Sequence, residues 1–235
     1  MQIKRPILGA AMAAFSILLS GCGSDGVDTA TTPSVSESKA TIRPLVAAGG
    51  YSLGIVYHPS VQGLAYARTD VGGAYRRDPG SSTWVPLNDD LNRDNAQFMG
   101  VESLAVDTNN SQKLYLATGM YLPSWGRTAA LLRSSDRGAT RQRTELPFRL
   151  GGNSDGRGTG DRLQLDPHLG RILFLGTNQD GLYKSTDSGV TWNKVTPFSP
   201  TATTFVLFER SNGFPGVISS QWSMSNSARI NAPNT

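Results

Sequence analysis

The stretch "GLYKSTDSGVTW", residues 181–192, decides the fold because the chain contains it more than once. "LLRSSDRGATR" (131–141) repeats it, and "AYRRDPGSSTW" (74–84) keeps its frame. Tyr75 and Trp84, Leu132 and Arg141, and Tyr183 and Trp192 are each nine residues apart. Working outward, "GIVYHPSVQGLAYARTD" (54–70), "SLAVDTNNSQKLYLATG" (103–119) and "LQLDPHLGRILFLGTN" (163–178) align ahead of them. His58, Asp107 and Asp166 match. Eight residues on stand Tyr66, Tyr115 and Phe174, and three further on Thr69, Thr118 and Thr177. Each block therefore reads as four short β-rich runs with Gly, Pro, Asn and Asp between them.

Four-strand units whose Trp84, Arg141 and Trp192 positions step by 57 and 51 residues predict the blades of a β-propeller. The fold class is all-β, an incomplete propeller of four-stranded antiparallel blades occupying residues 42–218. "SSDRGATR" and "STDSGVTW" resemble Asp-boxes, turns in which the Asp and Ser/Thr side chains bond the turn backbone, Gly takes a positive φ and Trp packs between blades. Asp136 and Asp187 are read as structural residues of those turns, with Arg141 standing where the Trp is usual. His58 and His168 sit beside Pro59 and Pro167 at turns without a ligand-spaced companion, so no metal and no cofactor are expected.

The chain has 235 residues with 26 Gly, 13 Pro and a net charge of +4. No Lys/Arg block stands out, which argues against a nucleic-acid partner. The lone cysteine, Cys22, excludes a disulfide framework. It ends "MQIKRPILGAAMAAFSILLSGC" (1–22), a secretory signal too short to span a membrane, and "LLSGC" resembles a bacterial lipobox in which Cys22 is lipidated. Residues 23–41 are a polar tether with little to bury. The expected location is the bacterial cell envelope, on the outer membrane, held through the lipid.

Asp70 lies in "YARTDVGGAYR" (66–76). The matching positions are Gly119 and Asn178, so the repeat does not require a carboxylate there; turn-making and chemistry remain open for it. The connections that vary in length are Asp70 to Tyr75 against Gly119 to Leu132, along with the polar inter-blade segments 88–101 and 148–161. Variable loops on a rigid scaffold are where binding sits. Asp70 and Trp125, in "MYLPSWGRTAA", are expected on that face, with Tyr121, Asn153 and Arg157 as further substrate contacts. An exposed Trp ring suits the apolar face of a pyranose; a loop packed on its own blade is the competing account of Trp125. For Arg157, Asp161 and Arg162, structural ion pairing competes with ligand contact.

Several of these motifs in order, "GIVYHP", "YARTDVGGAYR", "MGVES", "LRSSDRGAT", "LPFRLGGN" with "GRGTGDRL", and "GLYKSTDSGVTW", resemble the N-terminal part of glycoside hydrolase family 74, over about 49–192. The resemblance implies two tandem propellers of about seven blades with a glucan groove between them, and an inverting hydrolase of xyloglucan or a related β-1,4-glucan. It makes Asp70 the general base and puts the general acid in the second propeller. Two such carboxyls stand roughly 6.5–9.5 Å apart to admit a water. The sequence stops short of that acid, so this chain alone is expected to be inactive; a fragment, a frameshifted product and a pseudogene fit equally. Asp161 stands where the family has Glu, and Asp90 where an aromatic is expected. After Ile218 the strand pattern is lost, and 219–235 reads as an aberrant or disordered tail. A non-catalytic propeller that binds a glycan or protein partner is the alternative from another class. A sialidase would want an arginine cluster and a Tyr/Glu pair, which cannot be placed.

Overall fold

The computed structural model describes residues 50–196, 202–203, 205–209, 216–220 and 228–231. The signal, Cys22 and the tether lie outside the described residues. Four antiparallel meanders follow one another. The first is β1 (Ser52–Tyr57), β2 (Ala65–Thr69), β3 (Ala74–Arg77) and β4 (Val85–Pro86). The second is β5 (Val101–Asp107), β6 (Asn110–Thr118), β7 (Ala130–Ser134) and β8 (Gln142–Glu145). The third is β9 (Leu163–Leu165), β10 (Leu173–Gly176), β11 (Leu182–Ser185) and β12 (Asn193–Lys194). A fourth sheet pairs β13 (Phe205–Glu209), β14 (Gly216–Ser220) and β15 (Ala228–Asn231) in that order. The chain is an incomplete β-propeller, and the aligned repeats mark its blades.

The core lies between the sheets. Leu64, Tyr66 and Leu87 of the first blade meet Leu104, Leu114, Leu116 and Leu132 of the second. The opposite faces of β6 and β7, through Tyr115 and Leu131, pack with Leu150, Leu163, Leu173 and Leu175, and Trp192 leans on this cluster. Phe174, Leu182 and Val206 continue the stacking into the fourth sheet. Both faces of an inner blade are thus apolar, which is why its strands read as near-continuous hydrophobic runs rather than clean alternation. Ile55 and Tyr57 on β1, and Tyr51 just before it, remain exposed.

The recurrent turn residues do recurrent work. Asp107 Oδ1 accepts from the amides of Asn109 (2.9 Å) and Asn110 (3.2 Å), and Asp166 Oδ1 from those of His168 (2.8 Å) and Leu169 (3.1 Å). His58 Nδ1 accepts from the Ser60 amide (3.2 Å) in the same way, and its Nε2, 3.0 Å from the Asp107 carbonyl, also joins blades. In 134–140, Asp136 Oδ1 accepts from Ser134 Oγ (2.7 Å) and the Thr140 amide (2.8 Å), and Oδ2 from Thr140 Oγ1 (2.5 Å). Those bonds lower the Asp136 carboxyl to about 2. Slight burial pushes the Asp187 carboxyl up, and the matching bonds from Thr191, Ser185 and Val190 outweigh it, again giving about 2.

Two findings differ from what the sequence suggests. In the 219–235 stretch, Ala228–Asn231 pairs antiparallel with β14, Val217 opposite Ile230. Four residues alternating apolar and polar are too few to register as a strand pattern. Arg141 does not merely vacate a Trp site: its Nη1 donates to Gly138 O at 2.9 Å, as Trp192 Nε1 donates to Gly189 O at 3.3 Å. Its Nη2 pairs with Asp90. The two departures from the family pattern therefore meet as an ion pair across the first two blades.

Candidate functional site

The β2–β3 turn is built by Thr69, not by Asp70. Thr69 Oγ1 donates to Gly73 O (2.9 Å) and accepts from the Gly72 amide (2.8 Å), while the Thr69 amide donates to Gly73 O (3.0 Å). The third blade repeats this without a carboxylate at the matching position. There Thr177 Oγ1 donates to Gly181 O (2.8 Å) and accepts from the Asp180 amide (2.8 Å). Gly73 and Gly181 close both turns at φ 81° and 87°, a conformation open to glycine.

Asp70 is buried, and its side chain points away from its own turn. Oδ1 accepts from the Tyr51 amide at 2.7 Å, and Oδ2 lies 3.3 Å from Arg157 Nε. Arg157 is about one-third exposed and comes from the connection between the second and third blades. That connection also carries Asn153, whose Nδ2 donates to Tyr121 Oη at 3.1 Å. The Tyr121 and Trp125 rings stand 5.1 Å apart at 48°, with Trp125 70% exposed. Arg149 holds their loop through Gly126 O (2.7 Å) and Ser124 O (3.2 Å), and Arg127 ties it to Asp94 O (2.6 Å). Trp125 is thus an outward ring on a braced loop rather than one folded onto its blade.

Beneath these groups three glycines bring the blades together. The Gly119 amide donates to Gly100 O (2.9 Å) and the Gly152 amide to Gly119 O (2.7 Å). A Cβ on Gly152 would stand 2.7 Å from Gly100 C and 2.8 Å from Gly119 O, both backbone. Gly152→Ala is expected to destabilise the protein by about 1–3 kcal/mol through overpacking. Gly158→Ala, where a Cβ meets nothing, should be near neutral. Denaturant unfolding of the two variants checks the contrast.

The ion pairs of this region include partners the sequence reading missed. Arg68, 2% exposed, donates from Nε to Asp161 Oδ1 (3.2 Å) and lies near Gly160 O (3.5 Å). Glu102 is fully buried and pairs with Arg162 Nε at 3.0 Å. Burial pushes the Glu102 carboxyl up, while Arg162 and then Arg68 pull it down. Arg162 Nη2 also holds Gly156 O and Thr159 Oγ1, each at 3.3 Å. Arg162, Asp161 and Arg157 are all ion-paired, so Asp161 and Arg162 brace the loop that delivers Arg157 to Asp70. The available signal for Arg68 and Glu102 was a charge inside a strand of otherwise buried residues, "AYART" and "VESLAVD".

The blades and loops define a β-propeller in which one inter-blade connection links the buried Asp70 carboxylate, through Arg157, and the Tyr121–Trp125 pair, through Asn153. Its blades are similar to those of glycoside hydrolase family 74. A xyloglucanase of Acetivibrio thermocellus is 44% identical over 186 residues, 72% of this chain and 22% of the relative. The crystal structure of the family 74 xyloglucanase from Xanthomonas campestris superposes with a TM-score of 0.69 at 41% identity, covering 73% of this chain and 27% of that one. That of the family 74 enzyme from Niastella koreensis gives 0.70 at 35%, covering 78% and 28%. No protein-family model matches the chain. The chain spans about a fifth of the length of the first of these relatives.

Proposed function

We propose that this chain forms the base-bearing part of an inverting xyloglucan hydrolase. The observation that supports it is the carboxylate of Asp70, which its turn does not use and which the 151–162 connection links to the Tyr121–Trp125 platform. In this reading Asp70 accepts the proton of an attacking water. Tyr121 and Trp125 stack the glucan backbone and Asn153 orients the Tyr121 ring. Arg157 holds one carboxylate oxygen in place. The general acid comes from a second propeller, in the part of the relatives that this chain does not span, so residues 1–235 alone bind glucan without cleaving it.

Affinity electrophoresis of the chain in gels containing xyloglucan tests this. Retardation is expected, and Trp125→Ala should weaken it about tenfold, the loss of about 1.4 kcal/mol, within the range of a buried aromatic anchor. Unretarded wild-type protein would remove the reading. We further propose that Cys22 carries a lipid that anchors the chain to the cell envelope. Cys22→Ser should move the protein from the membrane to the soluble fraction; identical fractionation of the two forms would exclude the anchor.

A further inference from the structure

We propose a small-oxyanion site between the second and third blades, centred on Arg133 and remote in sequence from the Asp70 loops. A cavity of about 200 Å³ lies there, lined by Lys113, Arg133, Ser135, Gln142 and Ser188 among others. The internal repeat shows why it is unusual. The three blades carry a cation at one matching position of their third strand: Arg76, Arg133 and Lys184. Arg76 is neutralised two residues on by Asp78, at 3.0 Å from its Nε, and its Nη1 donates to Arg137 O of the next blade at 2.8 Å. Lys184 rests over the Phe174 ring, 5.6 Å from its centroid.

Arg133 has neither arrangement. The residue matching Asp78 is Ser135, which brings no charge. Among the described residues Arg133 has no ion-pair partner, and its buried Nε donates to nothing. The acids nearby are already engaged. Asp107 accepts from two backbone amides and pairs with Lys113 at 3.4 Å, and both oxygens of Asp136 are bonded by Ser134 and Thr140. A guanidinium without a counterion, with hydroxyl and amide donors around a cavity of this size, matches an anion with two or three oxygens on one centre. Phosphate, sulfate and the carboxylate of an acidic sugar share that chemistry. The bound anion supplies the charge that Asp78 supplies in the first blade.

The test is ³¹P line broadening of inorganic phosphate by the full chain at fixed ionic strength, with chloride as the balancing ion. Saturable broadening with half-saturation in the millimolar range is expected. Ser135→Asp, which copies the Arg76–Asp78 arrangement, should abolish it while leaving the circular dichroism spectrum unchanged. Arg133→Met should abolish it too, and serves if the first variant does not fold. Displacement of phosphate by galacturonate but not galactose assigns a sugar carboxylate as the occupant; displacement by sulfate alone assigns an inorganic anion. No broadening by the wild type, or broadening that survives either substitution in folded protein, overturns the site.

Discussion

Asp70→Asn is expected to lower xyloglucan turnover by on the order of 10²–10⁴-fold, the usual weight of general acid–base catalysis, in a protein that joins these blades to a second propeller. The melting temperature should fall by a few degrees while the fold survives. The substituted amide keeps an oxygen for the Tyr51 amide that Asp70 Oδ1 now caps at 2.7 Å. The turn itself rests on Thr69 Oγ1, as the matching turn rests on Thr177 Oγ1 beside Asn178. What is lost is the contact between the buried Asp70 carboxylate and the buried Nε of Arg157, a charge-assisted contact worth about 1–3 kcal/mol, and the capacity to take a proton from water. Azide, which needs no deprotonation to attack, should restore part of the rate and give a product of inverted configuration. Asp136→Asn supplies the opposite case: its carboxylate holds Thr140 and Ser134, so stability falls while turnover of the folded fraction stays. If Asp70→Asn melts the protein and spares turnover per folded molecule, the carboxylate serves the fold, and the proposed role for it is wrong.

The blades were legible because their information is local. Thr69, Thr118 and Thr177 each stand three residues past a buried ring, and each buries a hydroxyl that bonds a neighbouring carbonyl. The Tyr66, Tyr115 and Phe174 rings recur because the face between sheets must be filled in every blade. The site was legible only as a set of candidates. Asp70, Arg157, Asn153, Tyr121 and Trp125 could each be picked from loop length and residue type, but their order of contact depends on how blades stack. Arg141 and Asp90 show the same limit: each stood out alone as a departure, and their pairing across 51 residues is visible only once the first two blades are side by side. Glu102 was hidden differently. Its strand is buried on both faces, so no alternation marks the one side chain that needs a counterion.

That counterion gives the largest stability effect expected here. Arg162→Met should destabilise the fold by about 3–5 kcal/mol at neutral pH, the cost of leaving one member of a buried ion pair without the other. Glu102 is 0% exposed, and its charge is met by Arg162 Nε at 3.0 Å. Without Arg162, burial disfavours the carboxylate further, and the loop between Gly156 and Thr159 loses the guanidinium that ties it down. The pH dependence separates these two losses. A carboxyl whose folded pKa is raised costs nothing below its unfolded value of about 4.3, and its penalty grows as pH rises toward the folded value. The Arg162→Met deficit should therefore be small near pH 4 and widen toward pH 7, where the loop contribution alone would stay level. Adding Glu102→Gln should recover most of the neutral-pH deficit by removing the charge. Denaturant midpoints for the three proteins across that range decide it: a deficit that neither widens with pH nor shrinks in the double variant means that Arg162 acts through the loop, and that Glu102 is not the source of the cost.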